Sequence, residues 1–345
     1  MKKGDYWILF DCNWESCDKK WLYEELKSQM SDGQKIEIVE RISLDKNRGG
    51  ILYKIYSYFI IVRQVIAALH RSKKNDVLVC WNFLTGIFAN LLSKVCGNSR
   101  KIVSMCWLTP TKADGRPIIS ALERSLVNNP NAYITVNDRN GAEKWNNFHH
   151  TKSSHFVFLP DTYNDSLSFL NPHVRNQKAM IFCGGRANRH WKLLVEIAAC
   201  MPAVKFVCVA EKNDWHEKIK GLTLPNNVEA LFEIKSKEYY QLMASADLVL
   251  IPLVKNVSSG FINITMSAQL GVPCIVTKNA STETYFAEHS GLVIDNDKNL
   301  WIDGINRILS LPQDDFDNLV REFQNHIKKN FSPQHNAKII YDIFH

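Results

Sequence analysis

A chain of 345 residues with 46% hydrophobic and 22% charged residues is too apolar to be disordered and too long for one ordinary core, which points to two globular domains. No apolar run reaches the roughly 18 residues of a spanning helix, and the apolar stretch in MKKGDYWILFDC is too short for a signal peptide, so a soluble cytoplasmic protein is expected. The formal net charge of +7 is concentrated: residues 51–101 carry Lys54, Arg63, Arg71, Lys73, Lys74, Lys94, Arg100 and Lys101 against the single acid Asp76. No nucleic-acid motif accompanies this charge, so a nucleic-acid partner is not expected. Nine cysteines, an odd number set mostly in apolar runs, read as reduced core thiols.

Along the first half, short apolar runs alternate with longer helical patterns. WILFDC predicts a strand, 20–31 a helix, KIEIVERI a strand and 52–71 a long helix. DVLVCW, KIVSMCWL, AYITVN and HFVFLP predict further strands, with helices at 85–96, 118–126 and 140–148 between them. The 51–74 stretch, ILYKIYSYFIIVRQVIAALHRSKK, is apolar and aromatic with basic flanks. It suits either a buried domain helix with a solvated basic end or a helix in contact with a membrane surface.

Residues 161–177, DTYNDSLSFLNPHVRNQ, are polar and turn-rich without periodicity and read as interdomain sequence. The expected division is an N-terminal Rossmann-like domain at 1–165, a linker at 166–178, a second such domain at 179–325 and a C-terminal helical segment at 326–345 packing back on the first.

The second half repeats the alternation. AMIFCGG, KFVCVA, NVEALF, LVLIPL, PCIVTK and GLVI predict strands, and helices are expected at 191–200, 236–245, 260–270, 282–288, 300–309, 314–329 and 334–344. Strand–helix alternation on this scale predicts α/β domains with doubly wound parallel sheets, which bind ligands at the carboxyl ends of their strands.

Two turns in this half carry chemistry. After LVLIPL, a helix opens at Ser258-Ser259-Gly260, where small residues let backbone N–H groups approach an anion and the helix dipole favours negative charge. An ordinary β-α-β unit with Ser258 as helix cap would look the same. After AMIFCGG, Gly184-Gly185 leads into Arg186 and Arg189, whose guanidinium groups are suited to phosphate oxygens. Solvated arginines on a glycine turn are the plainer reading. Neither turn is a dinucleotide fingerprint or a Walker loop.

Taken together, Gly185-Arg186, Arg189, YYQLMASADLVLIP, Ala268, Gly271, Pro273, Ile275 and GLVIDND resemble the donor-binding half of GT-B glycosyltransferases of the retaining glycosyltransferase family 4 group. The resemblance implies a GT-B fold, two Rossmann-like domains facing a central cleft, and transfer of a hexose from a nucleotide sugar to a glycan or lipid-linked saccharide. It implies a place in bacterial cell-surface polysaccharide synthesis, at the inner face of the cytoplasmic membrane through contact by 51–74. Arg186 and Arg189 would stabilise the leaving diphosphate. Gly185, Ser258, Ser259, Gly260, Glu233 and Thr265 would hold the donor. Asp11, Asn82, Trp107 and Asp114, on loops of the first domain, are the candidates for acceptor contact. No metal ion and no other cofactor is expected, because arginines and a helix dipole would compensate the charge.

One departure stands out. Aligning on Gly271-Val272-Pro273 places Ser258 and Met266 where many members of that group carry two glutamates. That leaves a second function open, a nucleotide-sugar-binding scaffold that does not transfer.

Overall fold

The computed structural model describes residues 4–11, 20–41, 51–97, 100–107, 117–150, 155–164, 166–185, 188–254, 257, 259–279, 281–286 and 292–345. The chain divides into one unit comprising Met1–Pro160 and Pro333–His345 and a second comprising Asp161–Ser332.

The first unit runs β1 (Tyr6–Leu9), α1 (Lys20–Gln29), β2 (Ile36–Val39), α2 (Ile51–Arg71), β3 (Val77–Cys80), α3 (Phe83–Val95), β4 (Lys101–Trp107), α4 (Pro117–Val127), β5 (Ala132–Val136), α5 (Gly141–His149) and β6 (Phe156–Phe158). Its six strands are parallel, in the order β2-β1-β3-β4-β5-β6. β1 and β3 are buried along their whole length, as strands covered on both faces must be, and this is why their sequences are unbroken apolar runs. Asp76, just before β3, is buried. Its carboxylate accepts from the Asp5 N–H at 3.0 Å, the Trp7 indole N–H at 3.0 Å and the Lys73 N–H at 2.8 Å, fixing the entry to β1 and β3.

The second unit runs β7 (Met180–Gly185), α6 (Trp191–Cys200), β8 (Lys205–Ala210), α7 (Lys212–Lys218), β9 (Val228–Phe232), α8 (Ser236–Ala244), β10 (Leu248–Ile251), α9 (Phe261–Gln269), β11 (Cys274–Thr277), a 3₁₀ turn at Glu283–Tyr285, β12 (Leu292–Ile294), α10 (Lys298–Leu309) and α11 (Gln313–Asn330). Its sheet is again parallel, in the order β12-β11-β10-β7-β8-β9. Trp191, Trp215 and Trp301 lie in the core on one face of it. Phe261, Tyr285 and Phe331 stack on one another on the other face, with centroids 4.7 Å apart at each step, and fix the first turn of α9.

The last helix, α12 (Pro333–Asp342), belongs to the first unit. There Ala337, Ile340 and Tyr341 join the cluster built on Tyr6, Phe10, Leu22 and Leu26, and the Asn336 amide donates to the Pro160 carbonyl at 2.7 Å. A break at Phe331-Ser332 separates it from α11, between the helices expected at 314–329 and 334–344.

Residues 166–178, expected as a linker, are held on the second unit by hydrogen bonds, with Leu167 packed against its core. Leu170 N–H donates to Gln269 O at 2.8 Å, and Arg175 donates to the carbonyls of Leu309 and Leu311. Asp247, almost wholly buried, accepts from the Asn176 N–H at 2.9 Å, the Met180 N–H at 2.7 Å and His173 Nε2 at 3.2 Å. Burial alone would raise its pKa. The hydrogen bonds from His173, Met180 and Asn176 outweigh it and hold the carboxyl below its usual range.

α7, absent from the sequence expectations, exists because Glu211 caps it and Trp215 anchors it. The Glu211 carboxylate accepts from the Asp214 N–H at 2.6 Å.

Candidate functional site

In the second unit the chain lays down β7, β8 and β9 in one direction, then returns to place β10, β11 and β12 on the other side of β7. The reversal falls between β7 and β10, and the crevice at the carboxyl ends of two such strands is where open α/β sheets bind ligands. The Gly184-Gly185 turn ends β7, and the loop into α9 follows β10. Both sequence-predicted turns therefore flank this switch point.

The two turns are stitched together. Arg189 and Leu253 form an antiparallel bridge, His190 N–H donates to Pro252 O at 2.8 Å, and Val254 N–H donates to Asn188 O at 3.0 Å. Asn188 adopts φ 62°, the left-handed conformation that asparagine tolerates, and this turns Arg189 inward. His190 then caps α6, its Nδ1 accepting from the Leu193 N–H at 3.1 Å.

Arg189 is only 3% exposed, so it is not the solvated arginine of the plainer reading. Its Nε donates to the Gly184 carbonyl at 2.8 Å, and the Asn263 amide donates to the same oxygen at 2.7 Å. Both neighbouring glycines are obligatory. A Cβ on Gly185, at φ 151°, would meet the Arg189 guanidinium carbon at 2.5 Å. One on Gly260, at φ 86°, would lie 2.8 Å from Ile251 and 3.7 Å from Arg189 Nη2. The guanidinium thus lies between the two glycine turns, one layer below the edge they form.

Gly260 is the N-cap of α9 and supplies no side-chain cap, and the first turn of the helix carries no acid. The opening N–H groups of a helix have no intrahelical acceptor and carry partial positive charge. Burial lowers the Arg189 pKa, opposed by its electrostatic coupling to Cys183, Tyr239 and Cys274, and an arginine remains charged at neutral pH. The Cys183 thiol beside it is pushed up to about 12 by burial and stays neutral. A buried cation beside backbone N–H donors is a combination suited to an anion.

The other expected donor residues are distributed unevenly. Ser259 is half-buried next to Gly260. Thr265 lies on the opposite side of α9, 1% exposed, with its hydroxyl on the carbonyls of Ile262 and Thr162, so it is structural and not a donor contact. Met266 is buried in the core. Glu233 is exposed at the carboxyl end of β9 with φ 56°, an uncommon conformation for glutamate. It shares the edge but sits two strands from β7, about 10 Å away. Arg186 and Ser258 lie outside the described residues. Tyr239 is an addition to the expected set: its ring is T-shaped on Phe182, and a Cβ on Gly184 would lie 2.1 Å from its hydroxyl. The tyrosine of the YYQLMASADLVLIP run was the available signal.

In the first unit the corresponding switch point lies between β1 and β3. Asp11 follows β1 and Asn82 follows β3, so both flank it, and Trp81 N–H donates to Leu9 O at 3.1 Å between them. Asn82 is also the N-cap of α3, its side-chain oxygen accepting from the Thr85 N–H at 3.0 Å. Trp107 ends β4, with its side chain outside the described residues, as is all of Asp114. Among the described residues no three His, Cys, Asp or Glu side chains come together as a metal site.

No family model matches the chain, and no curated protein matches it in sequence. Solved structures do. Sucrose-phosphate synthase from Thermosynechococcus elongatus superposes with a TM-score of 0.74 at 14% identity, covering 99% of this chain and 98% of that one. Anabaena Alr3699/HepE in complex with UDP and glucose gives a TM-score of 0.68 at 14% identity, covering 98% of each chain. An Escherichia coli trehalose-6-phosphate structure bound with UDP-2-fluoro glucose gives 0.72 at 10% identity over 99% of each chain. At these identities the likeness establishes the fold. It is GT-B, the fold of these glycosyltransferases, with one Rossmann-like sheet in each unit.

Proposed function

We propose that this chain is a glycosyltransferase that moves a hexose from a nucleoside-diphosphate sugar to a glycan or lipid-linked saccharide, without a metal ion and with retention at the anomeric carbon. The observation that carries the reading is the buried Arg189 guanidinium between Gly185 and Gly260 at the N-terminus of α9. The UDP and UDP-2-fluoro glucose in the Anabaena and Escherichia coli structures support uridine as the first base to test. Work on a lipid-linked acceptor in bacterial cell-surface polysaccharide synthesis, at the cytoplasmic face of the membrane, suits the basic, aromatic 51–74 stretch.

The chemistry follows from the charges. As the bond from the anomeric carbon to the diphosphate oxygen breaks, positive charge grows on the sugar and negative charge on the leaving oxygen. Arg189, fixed before the reaction, and the α9 N–H groups stabilise that negative charge most when it is largest, so they lower the barrier more than they tighten ground-state binding. Arg186 would add a direct contact from the same turn. The departing phosphate oxygen takes the acceptor proton on the same face of the sugar, so no separate base is assigned.

Met266, buried where the resembled group carries an acid, favours a second reading, a nucleotide-sugar-binding subunit without transfer. A donor panel assayed for transfer and for hydrolysis separates the two. The enzyme reading expects turnover by the native chain that falls about a hundredfold or more in Arg186→Ala. Saturable donor binding with no turnover on any acceptor would establish the second reading instead.

A further inference from the structure

The strand edge that carries Gly185 continues across β8 and β9. Gly185 pairs with Ala210 and Ala210 pairs with Phe232, so the residues that follow this row on β8 and β9 are Glu211 and Glu233. One strand spacing, about 4.8 Å, separates Ala210 from Gly185, and two, about 10 Å, separate Phe232 from it. With its diphosphate at Gly185, a nucleoside diphosphate laid along the row brings its ribose to the end of β8 and its base to the end of β9.

Ribose hydroxyls are donors and need acceptors. Along α9 every polar side chain is already committed to a carbonyl of the protein. The Asn263 amide donates to Gly184 O, the Thr265 hydroxyl to Ile262 O and Thr162 O, the Ser267 hydroxyl to Val272 O, and the Gln269 amide to Asn164 O and Leu167 O. Met266 is buried and apolar. On the other side of β7, where β10 and β11 end, the polar groups close on themselves. The Thr277 hydroxyl accepts from the Leu253 N–H and donates to Asn296 Oδ1, and the Asn296 amide donates to Leu253 O, each at 2.7 Å.

Glu211 stands at the end of β8, exposed, with its side chain held in place. As the N-cap of α7 its carboxylate accepts from the Asp214 N–H at 2.6 Å. That bond and a second from the Asn213 N–H hold the carboxyl below its usual range, so it is ionised at neutral pH. A carboxylate has about four acceptor positions, and the cap leaves part of them to solvent. In Rossmann-type sheets an acid on the strand after the phosphate-binding turn is well placed to take a ribose hydroxyl.

We propose that Glu211 accepts from the ribose hydroxyls of the bound donor and so selects a ribonucleoside diphosphate over its 2′-deoxy counterpart. This role rests on the donor reading of the Arg189 site, and it gives β8 a recognition that no side chain of α9 supplies.

Calorimetric titration of the full chain with UDP, 2′-deoxy-UDP and inorganic pyrophosphate tests it. The native protein is expected to bind UDP about tenfold or more tightly than 2′-deoxy-UDP, the usual worth of a hydrogen bond to a charged group. Glu211→Ser keeps a good helix cap but cannot reach the ribose, so the preference should fall below about threefold. Glu211→Gln keeps an acceptor oxygen without the charge and should fall between the two. Pyrophosphate carries no ribose and should bind the native chain and Glu211→Ser equally, and unchanged unfolding midpoints verify that α7 stays capped. Equal binding of UDP and 2′-deoxy-UDP by the native chain overturns the assignment and leaves the diphosphate site standing, as does a preference that survives in Glu211→Ser. Weaker pyrophosphate binding in Glu211→Ser would reduce Glu211 to a structural cap. If neither UDP nor pyrophosphate binds the native chain, the donor reading falls and the assignment falls with it.

Discussion

Arg189→Met is expected to leave the protein folded, with a stability within about 1 kcal/mol of the native chain, yet to bind a nucleoside diphosphate about a hundredfold more weakly. The two halves of this result have different physical causes. Arg189 is buried, and methionine occupies a similar volume without the desolvation cost of a guanidinium. The hydrogen bond from Nε to the Gly184 carbonyl is lost, but that oxygen keeps the Asn263 amide. Stability therefore changes little. A unit charge some 6 Å from a phosphate in an effective dielectric of about 20 is worth about 3 kcal/mol, which is about a hundredfold in affinity. Lysine should not rescue the site. Its ammonium lacks the planar fork that donates to Gly184 while lying flat between Gly185 and Gly260. Chemical denaturation and calorimetric titration with UDP measure the two halves separately. Equal affinity in the native chain and the Arg189→Met variant would reduce Arg189 to a staple between two loops.

Trp191→Ala carries the largest expected loss of stability, about 4 kcal/mol. Trp191 opens α6 directly after the Arg189 turn and is 1% exposed. Its ring packs edge-on against Trp215 at 5.1 Å, and its indole N–H donates to Asp214 at 3.0 Å. Truncation leaves a cavity between α6 and α7 and removes a donor from a carboxylate in α7. In a unit of this size such a change lowers the melting temperature on the order of 10 °C. Trp191→Phe keeps much of the ring contact and should recover roughly half the loss. Differential scanning calorimetry reads both, and an unchanged transition in Trp191→Ala would show that the α6–α7 contact does not hold the unit together.

The alternation of strands and helices was legible because buried parallel strands are short unbroken apolar runs, such as VLVC at β3 and LVLI at β10, and these admit few other readings. α7 was not: KNDWHEK has one apolar residue and no period, and its stability comes from the Glu211 cap and the burial of Trp215. The attachment of 166–178, expected as a linker, to the second unit was hidden for a related reason. Its polar residues looked solvated, but Arg175, Asn176 and His173 satisfy groups of the second unit, and sequence periodicity registers apolar contacts only.

At the site, both glycine turns could be read, since the glycines and the position at strand ends are local. The depth of Arg189 could not. It depends on the bridge to Leu253, far along the chain, and an arginine on a glycine turn gives no sign of such a partner. Thr265 was misplaced for want of a helix phase: Asn263 faces the Gly184 carbonyl, and two residues further on the side chain faces the core.

The central claim is that the edge formed by Gly185 and Gly260 over Arg189 receives a diphosphate. A crystal structure of the protein with UDP tests it most directly. The account predicts the diphosphate against the backbone N–H groups at the start of α9, between the β7 and β10 loops, with Arg189 beneath it. A diphosphate bound at any other strand edge, with this one empty, would contradict it.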